Sequence, residues 1–367
     1  MDNKYSHALC SSTKLGFSFG ILPKPKELLK FNTYLRIGSN VTMYVNRMFA
    51  EKIDEVLKSR VLPNHPENLY DPIDYMLNLS GKRIRPLLVL LGADLFGIKN
   101  IDDALPASVA IEYFHNFSLI HDDIMDKAPL RRGRQTIHQK WNDNVAILSG
   151  DALLIKAYEQ LAQCPAHLIP DLLRIFNRVA LEVCEGQQLD MDFEALHAIQ
   201  QEAYVNMIRL KTSVLLGGAL EMGAVLAEAS LENRTQLYDF GVNLGIAFQL
   251  QDDILDAFGN PETFGKQVGG DIIVNKKTIL YILLGEAIQD EDREHFNTLL
   301  SLGEASSSTK IAGMKTLYEK YAVQQKADTL KQYYTTLAYK SLEAIDVDRQ
   351  RKAELYELAN QLMKRVR

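Results

Sequence analysis

The sequence predicts an all-α chain. Three observations carry that reading. Ten of the eleven prolines lie at or before Pro170, so only Pro261 interrupts the last 197 residues. Long segments such as Ala107–Ala128 and Thr235–Phe258 hold no proline and repeat apolar residues at helical spacing. No Asn-Gly or Asp-Gly turn joins two alternating runs, so no hairpin is expected. Helix is expected from about Val41 onward, in one domain spanning residues 43–367. Turns are expected at Pro63–Pro66, Gly97–Asn100, Pro129–Gly133, Pro165–Pro170, Gly259–Gly270 and Ser301–Ser308. The charged stretch from Asp346 to Arg367 reads as an exposed amphipathic helix.

Residues 1–42 stand apart. They carry six basic residues (Lys4, Lys14, Lys24, Lys26, Lys30, Arg36) against Asp2 and Glu27, with no sustained helical period. The apolar stretch around Leu15–Leu22 is broken by Gly16, Ser18 and Gly20 and lacks a small-residue cleavage site. This extension is expected to be a flexible tail or an upstream-start artefact, with Met43 as the start.

Composition narrows the function. Of 367 residues, 47% are hydrophobic and 24% charged, as in ordinary globular enzymes. The net charge of −6 argues against a general nucleic-acid binder. Three cysteines without C-x-x-C spacing fit a reducing compartment, and a cytoplasmic location is expected. No apolar run reaches the roughly 20 residues of a membrane span.

One motif recurs. D-D-x-x-D appears as Asp122, Asp123, Asp126 and as Asp252, Asp253, Asp256, each time at the end of an apolar helix candidate. Positions i and i+4 share a helix face, so Asp122 lies over Asp126 and Asp252 over Asp256. Like charges there repel, and the negative end of the helix dipole adds to the cost. Partial burial raises it further. A divalent cation removes all three problems, and Mg²⁺ takes carboxylates together with phosphate oxygens and water. Two such faces across a cavity would hold a diphosphate. The ligand spacing of a calcium hand is absent.

Cations follow elsewhere. SGKRIRP supplies Lys82, Arg83 and Arg85, without the spacing of a nucleotide-binding P-loop. Arg131 and Arg132 trail the first acidic motif, and a guanidinium can fork two phosphate oxygens. Lys211 and Thr212 lie in RLKTSVLLGG, while Lys266 and Lys276 lie in GKQVGGDIIVNKK after the second motif.

The ordered set GKRIRP, HNFSLIHDDIMD, RRG, GQQLD, KTS, FQLQDDILD and GKQVGGD resembles the trans-isoprenyl diphosphate synthases, the polyprenyl synthetase family. The resemblance covers Tyr44 to the C-terminus and is strongest to short-chain geranylgeranyl and farnesyl diphosphate synthases. It implies an isoprenoid synthase-type helical bundle around a central cavity, usually a homodimer. It implies that Asp122 and Asp126 ligate two Mg²⁺ ions and Asp252 a third. Asp123, Asp253 and Asp256 would support them directly or through water. Arg131, Lys211 and Lys266 would hold an allylic diphosphate, with Thr212 and Gln249 nearby. Lys82, Arg85, His115 and Arg132 would hold isopentenyl diphosphate. Lys276, Gln187 and Asp190 would complete the wall. One departure is visible: Ser80 stands where the family commonly has the first of two glycines.

The implied reaction ionises the allylic diphosphate, adds isopentenyl diphosphate head to tail and eliminates a proton. The tail of the product would run down the helix of the first motif. Phe117, Phe114 and Tyr113 lie five, eight and nine residues before Asp122 and would form its floor. In the family an aromatic at the fifth position marks short products, so geranylgeranyl diphosphate is expected, with farnesyl or longer products as alternatives. A class I terpene cyclase and a non-catalytic regulatory subunit are the rival readings. The second D-D-x-x-D and the SGKRIRP segment disfavour the first, and the two intact motifs disfavour the second. Gly241 and Gly245, four apart, would permit a close helix approach.

Overall fold

The computed structural model describes residues 39–364 except 197 and 260–267. The extension therefore lies outside the described residues up to residue 38, and Ser39–Thr42 already belong to the first helix. Sixteen α-helices are described: α1 (Ser39–Lys58), α2 (Glu67–Asn78), α3 (Ile84–Leu95), α4 (Leu105–Met125), α5 (Ile137–Lys140), α6 (Asp143–Leu161), α7 (Ile169–Glu194), α8 (Gln201–Ile208), α9 (Val214–Leu226), α10 (Leu231–Phe258), α11 (Gly270–Ile273), α12 (Ile279–Ala287), α13 (Asp290–Ser301), α14 (Ser307–Lys320), α15 (Val323–Ala344) and α16 (Ala353–Met363).

Local signals set the ends. Pro106 and Pro170 sit in the first turns of α4 and α7, where a missing N–H costs nothing. Asn142 accepts the Val145 amide to cap α6, and Ser230 accepts that of Asn233 to cap α10. One expectation fails. Leu130–Arg131 and Arg134–Gln135 form a two-stranded antiparallel hairpin. Its turn uses Arg132 (φ 53°) and Gly133 (φ 74°), both left-handed, so an Arg takes the place that Asn usually fills.

Helices α9 and α10 form the centre. Nearly every residue of α9 is buried, and its small residues let neighbours come close. Gly223 faces the Val89 carbonyl of α3, while Gly217 faces Gly241 of α10. Gly245 packs on Ser213 of the same chain. The Gly241–Gly245 pair is thus used inside the chain. Helix α10 runs through both apolar clusters: Leu237, Phe240 and Leu244 join the first, and Ile246, Leu250 and Ile254 the second. The C-terminal α16 is more embedded than expected, with Leu355, Leu358, Ala359 and Leu362 buried. No described helix is long and apolar enough to cross a membrane.

Candidate active site

Asp122 on α4 and Asp252 on α10 line one cavity of about 510 Å³. Lys211 and Thr212, also in its wall, sit on a π-helical turn, Arg209–Ser213, between α8 and α9. Such turns widen the backbone spiral and re-aim a side chain. This one is wedged between glycines: a Cβ at Gly186 of α7 would lie 2.2 Å from the Lys211 nitrogen, and one at Gly245 of α10 would lie 2.7 Å from the Ser213 Cα. The wedge aims the Lys211 ammonium at Asp190 (2.6 Å) and Asp122 (3.4 Å).

The motif carboxylates divide in two. Asp123 is buried and accepts both Nε (2.9 Å) and Nη2 (2.5 Å) of Arg131, which fastens the hairpin to α4. Burial raises its pKa even so, against the lowering effect of Arg131. Asp253 is also buried and accepts hydrogen bonds from the Tyr204 hydroxyl, Gln249 Nε2 (3.2 Å) and the Ile279 amide (3.3 Å). Burial pushes it up to about 7. Neither side chain is among those lining the cavity. Asp256 accepts the Asp271 amide at 3.1 Å, and its carbonyl accepts that of Gly269 at 2.6 Å, closing the base of the loop after the motif. Asp126 keeps an edge open to solvent, yet desolvation by the wall, and then Asp122, raise it. Lys276 faces these acids: against a desolvation that would lower it, Asp271, Asp190, Asp253 and Asp126 leave it raised.

A second cavity of about 570 Å³ gathers Lys82, Arg85, His115 and Arg132. It shares Arg85, His115 and Phe248 with the first, so the two compartments adjoin. Arg85 donates to His115 Nε2 at 3.1 Å. Burial, then Arg85 and the other arginines, hold His115 well below the usual imidazole range, so it is neutral. Burial lowers Arg85 to about 10. Arg132 lies flat on Gly81, where a Cβ would stand 2.7 Å from its Nη1. Gly81 is therefore the glycine this approach requires, and Ser80 beside it is exposed. Arg83 belongs to the scaffold: it bonds Glu112 and the carbonyls of Leu77 (2.6 Å) and Leu79 (3.1 Å).

The remaining expected residues are placed as follows. Gln187 and Gln249 line the first cavity. Phe114 and Phe117 line it too, with ring centroids 5.6 Å apart. Tyr113 does not: one turn before Phe117 on the same face of α4, it is buried in the core beyond the cavity lining. Lys266 lies outside the described residues. Residues that the sequence reading missed include Tyr204, Asp271, Phe248 and Phe176, the last stacked edge-on behind Phe114 at 5.4 Å. The aromatic preceding the second motif could have signalled Phe248; nothing marks Tyr204 or Phe176 apart from ordinary core.

Do these residues suit Mg²⁺? Asp122 Oδ1 is buried and makes no hydrogen bond, with the Lys211 ammonium 3.4 Å away. Among the described residues no three carboxylate, histidine or cysteine side chains converge into a closed metal cage. A buried carboxylate oxygen with no hydrogen-bond partner suits an ion that takes its other ligands from phosphate and water.

A polyprenyl synthetase family model matches residues 66–321. The chain belongs to the polyprenyl synthetase family. A geranylgeranyl pyrophosphate synthase of Geoglobus acetivorans is 36% identical over 321 residues, 87% of this chain and 96% of that protein. A geranylfarnesyl diphosphate synthase of Natronomonas pharaonis is 36% identical over 257 residues, 65% of this chain and 75% of that one. A crystal structure of a geranylgeranyl pyrophosphate synthase superposes with a TM-score of 0.83 at 44% identity, covering 87% of this chain and 98% of the other. As a polyprenyl synthetase, the chain is a prenyltransferase that makes short-chain trans-prenyl diphosphates, and its all-helical fold is that of the family.

Proposed function

We propose that this prenyltransferase condenses isopentenyl diphosphate with an allylic diphosphate to yield geranylgeranyl diphosphate. The pair of adjoining compartments is the observation that carries this reading. One is mainly apolar and is lined by Phe114 and Phe117 together with Asp122, Asp252 and Lys211; the other is basic, with Lys82, Arg85, His115 and Arg132. The shared boundary lets two substrates meet with their reacting carbons together.

Magnesium dependence is a property of the family, and three ions per site is our proposal. Asp122, Asp126 and Asp252 would hold them, and they would stabilise charge on the departing diphosphate. The chain's own groups do the rest. Lys211, with Lys266 and Arg131 as expected partners, would neutralise the allylic diphosphate. Asp190, bonded to Lys211, orients that ammonium. Lys276, held close to Asp126 and Asp190 but not in the lining of the cavity, would add positive charge beside them. Neutral His115 and the cations around it would hold isopentenyl diphosphate so that its double bond attacks the allylic cation. The apolar wall excludes water that would quench that cation. The released proton would go to the diphosphate, so no protein base is needed, and the double bond is itself the nucleophile.

A homodimer is also proposed. Ile147, Leu148 and Ile155 of α6 and Leu181 of α7 are exposed apolar residues on neighbouring helices, a face suited to a second copy. The cytoplasm is the proposed location.

The test supplies isopentenyl diphosphate, Mg²⁺ and dimethylallyl, geranyl or farnesyl primers, then separates dephosphorylated products by length. A dominant twenty-carbon product is expected, and Asp122→Ala or Asp252→Ala should abolish most turnover without unfolding. A ladder of much longer products would overturn the floor. No condensation with any primer would return the cyclase or regulatory readings.

A further inference from the structure

The second acidic motif is held by a residue that belongs to neither substrate compartment. Tyr204 lies on α8, is only 4% exposed, and donates its hydroxyl to Asp253, also 4% exposed. The same carboxylate accepts the Ile279 amide at the start of α12 and the side chain of Gln249 one turn earlier on α10. Three helices therefore meet on one carboxylate. Helix α8 leads directly into the π turn that carries Lys211. Helix α10 carries Asp252 and Asp256. Adjacent residues on a helix are about 100° apart, so fixing Asp253 towards the protein interior fixes Asp252 towards the cavity.

We propose that Tyr204 is a positioning residue for prenyl transfer: its hydroxyl, bonded to Asp253, sets the rotation of the last turn of α10 and couples it to the segment bearing Lys211. Asp253 then serves as the anchor of the motif and does not itself ligate metal. The proposal rests on the prenyltransferase reading, and the wild-type protein must condense the substrates before it can be judged.

A buried hydroxyl with one fitting acceptor is a sensitive joint. Removing it leaves a carboxylate that is only 4% exposed short of a donor. The helix end can then turn, and an error near 1 Å at a reacting group costs about 100-fold in rate. The polar groups of the isopentenyl compartment sit on α3 and the loop before it, on α4 and on the hairpin turn, and only Phe248 reaches it from α10.

The experiment uses the full chain with Tyr204→Phe, Asp253→Asn and Asp253→Ala. It measures kcat, the KM of each substrate, the Mg²⁺ activation curve and thermal unfolding. Tyr204→Phe should lower kcat by about 10- to 100-fold and raise the Mg²⁺ concentration needed for half-maximal rate, with the KM for isopentenyl diphosphate unchanged. Asparagine keeps an acceptor for the hydroxyl, so Asp253→Asn should retain at least about tenfold more kcat than Asp253→Ala. Adding Tyr204→Phe to Asp253→Ala should cause no further loss. A purely structural tyrosine would lower the melting temperature and leave kcat and Mg²⁺ activation of the folded enzyme alone; that result overturns the proposal. So does an asparagine variant as damaged as the alanine one, which would make Asp253 a metal ligand. Should Tyr204→Phe fail to fold, the Asn–Ala comparison decides. A wild-type enzyme without condensation activity would instead refute the underlying function.

Discussion

Gly186→Ala tests how tightly the cationic side of the site depends on backbone packing. The added methyl would stand 2.2 Å from the Lys211 nitrogen, 2.6 Å from its Cα and 2.7 Å from the Leu210 carbonyl carbon, against an ordinary contact of 3.4 Å or more. All three atoms are backbone, so no side chain can swing aside. Helix α7 and the π turn must part by roughly 1 Å. Overpacking of that kind costs about 1–3 kcal/mol of stability. The catalytic cost is separable, because the turn carries the ammonium that sits 2.6 Å from Asp190 and 3.4 Å from Asp122. A shift near 1 Å there predicts about a 100-fold loss in kcat/KM for the allylic primer. The loss corresponds to roughly 2.7 kcal/mol of transition-state stabilisation. The assay varies each substrate separately and pairs kinetics with thermal unfolding. Gly285→Ala is the control: a Cβ there meets nothing within 4 Å, so it should be neutral or stabilising by up to about 1 kcal/mol. A Gly186→Ala enzyme with wild-type primer kinetics would refute the link between the glycine wedge and Lys211.

Other outcomes follow from the same geometry. Phe117→Ala should lengthen the product, and adding Phe176→Ala should lengthen it again, because Phe176 backs Phe114 at 5.4 Å and rests on Tyr158 at 5.1 Å; unchanged chromatograms would show that the floor lies elsewhere. Leu148→Glu with Ile155→Glu should convert a dimer to monomers by light scattering, and an unaltered mass would exclude this face. Glu354 is buried on α16 beside Asn46, and burial, then Asp94, raise it from 4.5 to about 8. The folded state therefore holds the proton more tightly than the unfolded one. Its stability contribution is full below about pH 4.5 and is lost as pH rises through 8, with a slope approaching 1.4 kcal/mol per pH unit, on the order of one proton. Glu354→Gln should flatten denaturant-measured stability across that window, and parallel curves would remove Glu354 as the cause.

Legibility in the sequence followed the physics of each feature. The acidic motifs could be read because like charges at helical spacing on an apolar helix demand compensation, whatever the fold. The grouping of Lys82, Arg85 and Arg132 was readable only through the ordered resemblance, since their separation in the chain says nothing about their meeting. Arg83, between two of these cations, was not distinguishable: it lines the same cavity, but its guanidinium is engaged by Glu112 and the carbonyls of Leu77 and Leu79. Tyr113 shares a helix face with Phe117, yet it lies one turn further from Asp122 along α4, where core packing covers it. The hairpin was missed because its turn strains an arginine where asparagine was sought. Tyr204 sits in a run, YVNMI, whose neighbours are ordinary core, and only the fold brings its hydroxyl to a residue 49 positions away.

The two acidic motifs share a division of labour that their spelling conceals. In each, the first carboxylate faces the cavity and the second is consumed by the scaffold. Helical phase requires this: a residue about 100° around from a cavity-facing one points into packed protein, and a carboxylate there must be bonded. The anchors differ because the surroundings do. Asp123 lies near the rim, where the Arg131 guanidinium can stay partly hydrated while it ties down the hairpin. Asp253 lies against an apolar cluster of Tyr204, Ile254 and Ile279, and the buried Lys276 is already shared among Asp271, Asp190, Asp126 and Asp253, so a further buried cation would carry a large desolvation cost. A neutral phenol satisfies the same carboxylate without that cost. The middle aspartate is thus needed in both copies for a reason that the cavity never sees, and its partner is chosen by the local dielectric.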